Sequence, residues 1–171
     1  LGVLDDAVVV FKETAIYVFG GPGPLANPQA GQDGWSPPQL VTSDVGCKAP
    51  NSIAQSPEGI VFQSDKGIMI LDRSRQVQDI GSAVYAFDSQ TVTRATLLPD
   101  RKQILFLTSD GYTLLWDYER LQWSKYTNHL GYDGIVVDGV YLYLRTDGRV
   151  FRETPGVYTD DGQHIVMAIE T

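Results

Sequence analysis

Ile60-Val61-Phe62-Gln63-Ser64-Asp65-Lys66-Gly67-Ile68-Met69-Ile70-Leu71-Asp72 is an apolar run, a polar turn ending in glycine, and a second apolar run. The pattern returns as Ile104-Leu105-Phe106-Leu107-Thr108-Ser109-Asp110-Gly111-Tyr112-Thr113-Leu114-Leu115-Trp116-Asp117. It returns again as Val140-Tyr141-Leu142-Tyr143-Leu144-Arg145-Thr146-Asp147-Gly148-Arg149-Val150-Phe151. Apolar and β-branched runs around a Ser/Thr-Asp-Gly type of turn are a β-hairpin signature. Gly67, Gly111 and Gly148 follow one another at 44 and 37 residues. A strand-only repeat of about 40 residues has the period of a propeller blade. The expected fold is therefore all-β, a single β-propeller region of about four blade-like units over 1–171.

Working outward, residues 7–19 hold a degenerate fourth hairpin, with Lys12-Glu13-Thr14 as a turn that lacks glycine. Residues 20–44 break the pattern with Gly20, Gly21, Pro22, Gly23, Pro24, Pro28, Gly31, Gly34, Pro37 and Pro38, and are expected as a loop inserted at a blade edge. Blades are expected at about 51–81, 93–126 and 133–154, and a terminal strand at 164–171. Ile104-Leu105-Phe106-Leu107 is continuously apolar, as a strand buried on both faces should be. Gln122-Trp123-Ser124-Lys125-Tyr126 alternates, as an outer strand should. No stretch keeps a helical period. Three blades and a partial one are few for a closed ring, since about four to eight are usual. Either the first hairpin and the last strand close a four-bladed ring, or further chain supplies the remainder. The second is the preferred expectation. The chain opens at Leu1 without an initiating Met, so it reads as a processed product or a piece of a longer chain.

Composition limits the function classes. Of 171 residues, 43% are hydrophobic, which is not a disordered composition. With 21 acidic and 13 basic residues the net charge is −8, a poor balance for gripping nucleic acid or an anionic membrane. The single cysteine, Cys47, rules out an internal disulfide, so nothing here demands an oxidising compartment. The apolar runs are too short to span a bilayer as helices, and no basic-plus-apolar leader opens the chain.

Candidate chemistry is sparse. His129 and His164 are far apart in the chain, and neither they nor Cys47 show metal-ligand spacing. Cys47 reads as a small buried filler at a strand start. Asp65, Asp110, Asp138 and Asp147 sit in turns, where aspartate bonds the local backbone, and Asp160-Asp161-Gly162 is another turn. The turns suggest the Asp-box of sialidase-like propellers, but the spacing fails. Ser64-Asp65 and Ser109-Asp110 are adjacent pairs, and no residue separates Asp110 from Gly111. Gly20-Gly21-Pro22-Gly23-Pro24 is not a phosphate cradle: it lacks the Lys-Ser/Thr ending, and its prolines carry no N–H. Arg73, Arg75, Arg94, Arg101 and Arg120 are scattered and read as solvated surface. No catalytic residue, cofactor or metal is expected.

Several stretches carry a resemblance as a set. They are Asp44-Val45-Gly46-Cys47-Lys48-Ala49-Pro50-Asn51-Ser52-Ile53, the run from Ser56-Pro57-Glu58-Gly59 through Ile68, and the strand–Lys-x-x-x-Ile-Tyr–strand–Gly-x-Gly-Pro segment at 10–24. Trp123-Ser124 and Glu153-Thr154-Pro155-Gly156-x-Tyr158 belong to the same set. Together they resemble virion-associated proteins of tailed bacteriophages, and are similar to the propeller-bearing nozzle, or packaged-DNA stabilisation, proteins of short-tailed phages. The resemblance implies a ring of identical subunits below the portal and adaptor, with the genome passing through its bore. It implies no catalytic residues, and family members longer than this chain. The implied partners are other tail, portal or adaptor subunits, with transient DNA passage, no tight DNA binding and no membrane. The implied location is the virion, after synthesis in the host cytoplasm. A chain of charge −8 repeated around a bore would repel the duplex and let it slide, because Lys and Arg contacts to phosphate supply most non-specific affinity.

The expected working surface is the 20–44 loop, with Pro22, Pro24, Trp35, Pro37 and Pro38 as candidate subunit contacts. Proline lowers the entropy lost on docking, and tryptophan is enriched at interfaces. The alternative is a propeller binding module that grips a partner protein or glycan at one rim. A glycosidase or lyase would need two convergent carboxylates, whereas the acids here are explained by turns.

Overall fold

The computed structural model describes the chain except for Asp6, Pro22, Asn128, Tyr158, Asp161 and residues 24–33 and 165–171, and for Asp160 and His164 it describes the backbone alone. The fold is all-β. Seventeen strands among the described residues run β1 (Gly2–Leu4), β2 (Ala7–Phe11), β3 (Ile16–Gly20), β4 (Gln39–Thr42), β5 (Ala49–Ser56), β6 (Gly59–Ser64), β7 (Gly67–Asp72), β8 (Val77–Asp79), β9 (Val92–Leu98), β10 (Gln103–Thr108), β11 (Thr113–Asp117), β12 (Gln122–Tyr126), β13 (Gly131–Val137), β14 (Val140–Arg145), β15 (Val150–Arg152), β16 (Thr159–Asp160) and β17 (Gln163–His164). Two short 3₁₀ segments, Ser82–Phe87 and Pro99–Arg101, are the helical elements among the described residues.

The strands form antiparallel meanders. Sheet 1 is β1-β2-β3-β4, sheet 2 is β5-β6-β7-β8, sheet 3 is β9-β10-β11-β12, and sheet 4 is β13-β14-β15. A two-stranded ribbon, β16-β17, follows. Within each sheet every strand pairs with its neighbour in sequence, and short turns set the register everywhere except between β3 and β4, which a long excursion joins.

The chain divides into two compact units, Leu1–Ser82 and Ala83–Thr171. In the first, the inner face of sheet 1 meets sheet 2. Leu4, Ala7, Val9, Ile16 and Val18 are buried with Ile60, Phe62, Met69 and Leu71. Phe11 and Phe62 bring their ring centroids to 4.9 Å, inside the favourable range for aromatic pairs. In the second unit, Leu98, Leu105 and Leu115 of sheet 3 are buried with Tyr141 and Tyr143 of sheet 4. Phe62 and Phe106 are fully buried, each worth roughly 1.5–3 kcal/mol of transfer free energy.

The two central strands of a sheet carry the burial. Every residue of β6 is buried, as is every residue of β11, whereas β8 and β12 are partly or fully exposed. This is why the middle strands read as unbroken apolar runs and the outer ones alternate.

The three look-alike turns are two different structures. In the second and third hairpins the N–H of Thr108 and of Arg145 donates across the turn to Tyr112 O and Arg149 O, at 3.0 and 2.9 Å. Gly111 and Gly148 hold φ of +83° and +84°, the left-handed residue that closes a three-residue loop. In the first hairpin Ser64 pairs directly with Gly67, leaving a two-residue loop of Asp65 and Lys66. Lys66 inserts one residue between the aspartate and the glycine, and that residue changes the turn.

The stretch expected as loop, 20–44, contains a strand. Gln39–Thr42 pairs with β3 as β4 and completes sheet 1. Prolines 37 and 38 end just before it, so the missing N–H groups fall outside the ladder. The expected terminal strand at 164–171 lies, beyond His164, outside the described residues.

Candidate subunit-contact surface

Trp35, Pro37 and Pro38 come together on sheet 1; Pro22 and Pro24 lie outside the described residues. The loop that carries Trp35 is closed at its base. Ser36 N–H donates to Gly20 O at 2.7 Å, and Gly20 N–H donates to Ser36 Oγ at 3.0 Å. Gly21, at φ +132°, lies backbone to backbone against Gly34, where a Cβ would collide with the carbonyl. Only glycine fits that approach. The clamp fixes Trp35 next to the end of β3.

Trp35, Ser36, Pro37 and Pro38 then wall an open groove whose floor is Val8, Val10 and Phe19. The floor is the outer face of sheet 1. Val8 stands opposite both Val3 and Phe19, and Val10 stands opposite Tyr17, which in turn faces Leu40. Among the described residues, none that lines the groove is charged. Lys12 lies beside the same face, its ammonium 5.2 Å from the Tyr17 ring centroid. The aromatic and aliphatic residues that line it, bordered by prolines, can bury apolar surface.

The outer face of sheet 1 was the part sequence reasoning missed. Its signal was present: Ala7-Val8-Val9-Val10-Phe11 is apolar at every position, so both faces of β2 are apolar, not the inner one alone.

Of the titratable residues singled out from the sequence, Cys47, His129, Asp110 and Asp147 are engaged locally. Cys47 is buried, its thiol donating to Ala49 O at 3.2 Å, and burial pushes its pKa up, which disfavours the thiolate. His129 Nδ1 is 2.8 Å from Thr113 Oγ1, and its ring lies 3.9 Å from that of Tyr143. Asp147 accepts from Arg149 Nε and Nη2 at 3.0 and 2.8 Å, and those bonds hold its carboxyl below the usual range. Asp110 accepts from Ser109 Oγ at 3.2 Å. Asp138 occupies a left-handed turn position at φ +50°. The side chain of His164 and those of Asp160 and Asp161 are outside the described residues. Among the described residues, no group of three or more His, Cys, Asp or Glu is placed to hold a metal ion.

A second cluster, unannounced by any motif, sits at the turn end of sheet 3. Phe87 and Tyr112 meet edge to face at 5.7 Å, with Lys125 Nζ 5.0 and 5.4 Å from their centroids.

No family model matches the chain, and no curated protein matches it. Among solved structures it is similar to PorZ, described as an essential bacterial surface component of the type-IX secretion system of Porphyromonas gingivalis, at 15% identity and a TM-score of 0.44. The alignment covers 96% of this chain and 27% of that one, so the chain spans about a quarter of that protein's length. A likeness of this size carries no argument about function.

Proposed function

We propose that the four sheets are blades of a β-propeller, and that the chain is a structural component that works by assembly and not by catalysis. The observation that carries this is the apolar groove on sheet 1, floored by Val8, Val10 and Phe19 and walled by Trp35, Pro37 and Pro38, in a chain of net charge −8. Consecutive antiparallel meanders stacked through apolar faces are the build of propeller blades, which supports the fold reading. The phage-tail form of the proposal, a nozzle-like ring that retains or conducts the genome, rests on the sequence resemblance and on the acidic charge. The test is sedimentation equilibrium of the chain from micromolar to several hundred micromolar, with duplex DNA titrated at moderate salt. Concentration-dependent self-association and weak DNA affinity are expected. A strictly monomeric chain, or tight duplex binding, would sink the proposal.

A second reading, a propeller that grips a partner protein or glycan at one rim, is favoured by the cluster of Phe87, Tyr112 and Lys125. A glycan array decides it: binding that disappears in Tyr112→Ala would favour a binding module over an assembly subunit.

A further inference from the structure

Aspartate is followed by glycine at 110–111, 133–134, 138–139, 147–148 and 161–162. With no Cβ on the second residue, nothing shields its amide nitrogen from the aspartate side chain before it. In two of the hairpin turns that nitrogen is engaged elsewhere. Gly111 N–H donates to Thr108 O at 3.2 Å, and Gly148 N–H donates to Arg145 O at 3.0 Å. Their aspartates are engaged too, Asp110 by Ser109 Oγ at 3.2 Å and Asp147 by Arg149 Nη2 at 2.8 Å. At 133–134 the arrangement differs. Gly134 N–H donates to Oδ1 of Asp133 itself, at 2.8 Å. The nitrogen therefore stands beside the carboxyl carbon, Cγ, which is one bond from that oxygen. Asp133 also lies at a β-bulge, where the register of β13 on β14 shifts between Gly131 and Asp133 and the strand departs from regular pairing.

We propose that Asp133 is a site of spontaneous backbone isomerisation, in which Gly134 N closes on Asp133 Cγ to form a succinimide. In the neutral carboxyl, the N–Cγ bond forms as the Cγ–OH bond breaks, and the hydroxyl leaves with the amide proton as water. One water then reopens the ring. Opening at Cγ restores aspartate. Opening at the main-chain carbonyl carbon of Asp133 leaves isoaspartate, whose backbone runs through Cβ and Cγ and whose α-carboxylate becomes the side group. Water is the one reagent, and it reaches the ring because the Asp133 side chain is 55% exposed. Exposure alone would favour the hairpin turns; the geometry favours 133, because holding two reacting groups together lowers the barrier between them. The step falls on the seam between sheets 3 and 4. Gly134 O accepts from Thr96 Oγ1 at 3.1 Å and from Arg94 Nε at 3.3 Å, both on β9. Arg94 Nε also lies 3.2 Å from Asp133 Oδ1. An extra methylene in the backbone of β13 displaces these groups and breaks the two-residue period on which side-chain facing depends. Isomerisation therefore loosens sheet 4 from sheet 3 as the protein ages.

The experiment incubates the full chain at neutral pH in heavy-oxygen water and maps its peptides by mass spectrometry with electron-transfer fragmentation. Each ring opening leaves one heavy oxygen, and the fragmentation separates isoaspartate from aspartate. Label and isoaspartate should appear at Asp133 in several-fold excess over Asp110 and Asp147. The excess should vanish when the chain is held unfolded in urea, where the contact between Gly134 N and the carboxyl is lost. If Asp133 is no faster than Asp110 and Asp147 in the folded chain, or if its excess survives in urea, the proposal is wrong. Asp133→Glu keeps a carboxylate for Arg94 but would have to close a six-membered ring. It should take up no label at 133, and its urea midpoint should hold through the incubation while that of wild type falls. An aged wild-type fraction that carries isoaspartate at 133 and unfolds at the original midpoint would overturn the loosening of the seam. The wild-type map decides the site whether or not the variant folds.

Discussion

Gly46 lies with its α-carbon pressed on the β2–β3 turn, against the carbonyl of Lys12, and the next residue, Cys47, donates its N–H to that same carbonyl at 2.7 Å. A Cβ at position 46 would come within 2.6 Å of Ala15 N, with Lys12 O closer still. The chain thus leaves sheet 1 over its own β2–β3 turn, and glycine is the residue that lets it pass. Gly46→Ala should destabilise the protein by about 3 kcal/mol, the upper part of the overpacking range, because the opposing atoms are backbone and cannot rotate away. Urea unfolding followed by circular dichroism measures it, and a change under about 0.5 kcal/mol would show that the turn yields.

Tyr141 is buried between sheets 3 and 4, and its hydroxyl has no hydrogen-bond partner among the described residues. A Cβ on Gly134 would lie 2.8 Å from that hydroxyl. Burial also raises the phenol's pKa, the expected response of a group whose charged form is poorly solvated. Tyr141→Phe should stabilise by about 1 kcal/mol, since an unsatisfied buried polar group costs that much or more. Gly134→Ala should cost about 2 kcal/mol in wild type and about 1 kcal/mol less in the Tyr141→Phe background, a coupling that a double-mutant cycle reads directly.

Leu121 is 72% exposed and holds φ +54° in the turn between β11 and β12. The left-handed conformation costs a leucine roughly 1–2 kcal/mol, and glycine gives back part of this gain as chain entropy. Leu121→Gly should therefore raise stability by about 0.5–1 kcal/mol, seen as a higher midpoint in denaturant. A lower midpoint would mean that the leucine side chain makes contacts worth more than its strain.

Asp117 organises the same turn, accepting from Arg120 N–H at 2.9 Å, Glu119 N–H at 3.2 Å and Arg120 Nη1 at 2.7 Å. The Arg120 N–H, first among these donors, holds its carboxyl below the usual aspartate range. A carboxyl depressed in the folded state adds stability above its unfolded pKa of about 4, and that stability is lost as pH falls through the lower folded value. Asp117→Asn should therefore flatten the acid limb of a stability–pH curve below about pH 4 and alter it little between pH 6 and 8. An acid limb as steep as wild type would mean other carboxylates set it.

The repeat was legible because hairpins are local. The runs at 60–72, 104–117 and 140–151 needed only period and turn residues to be placed, and β6, β7, β10, β11 and β14 fall there. Short strands without a local turn signal were not legible. Gly2–Leu4 and Gln39–Thr42 are too brief to show alternation, and β4 reaches sheet 1 only after the excursion that begins at Gly20. Of the candidate contact residues, Trp35, Pro37 and Pro38 were visible by type, but their floor of Val8, Val10 and Phe19 comes from strands earlier in the chain.

Sequence alone determined that this chain is built of hairpins, since a hairpin's register is written in the residues of its own turn and the parity of its two runs. Only the tertiary structure decided which apolar faces are covered and which are left open. Val9 and Val10 are neighbours of the same type, yet Val9 is buried against sheet 2 while Val10 floors an open groove. That difference comes from which sheet stacks on which, a contact between residues far apart in the chain, and no local pattern of valines encodes it.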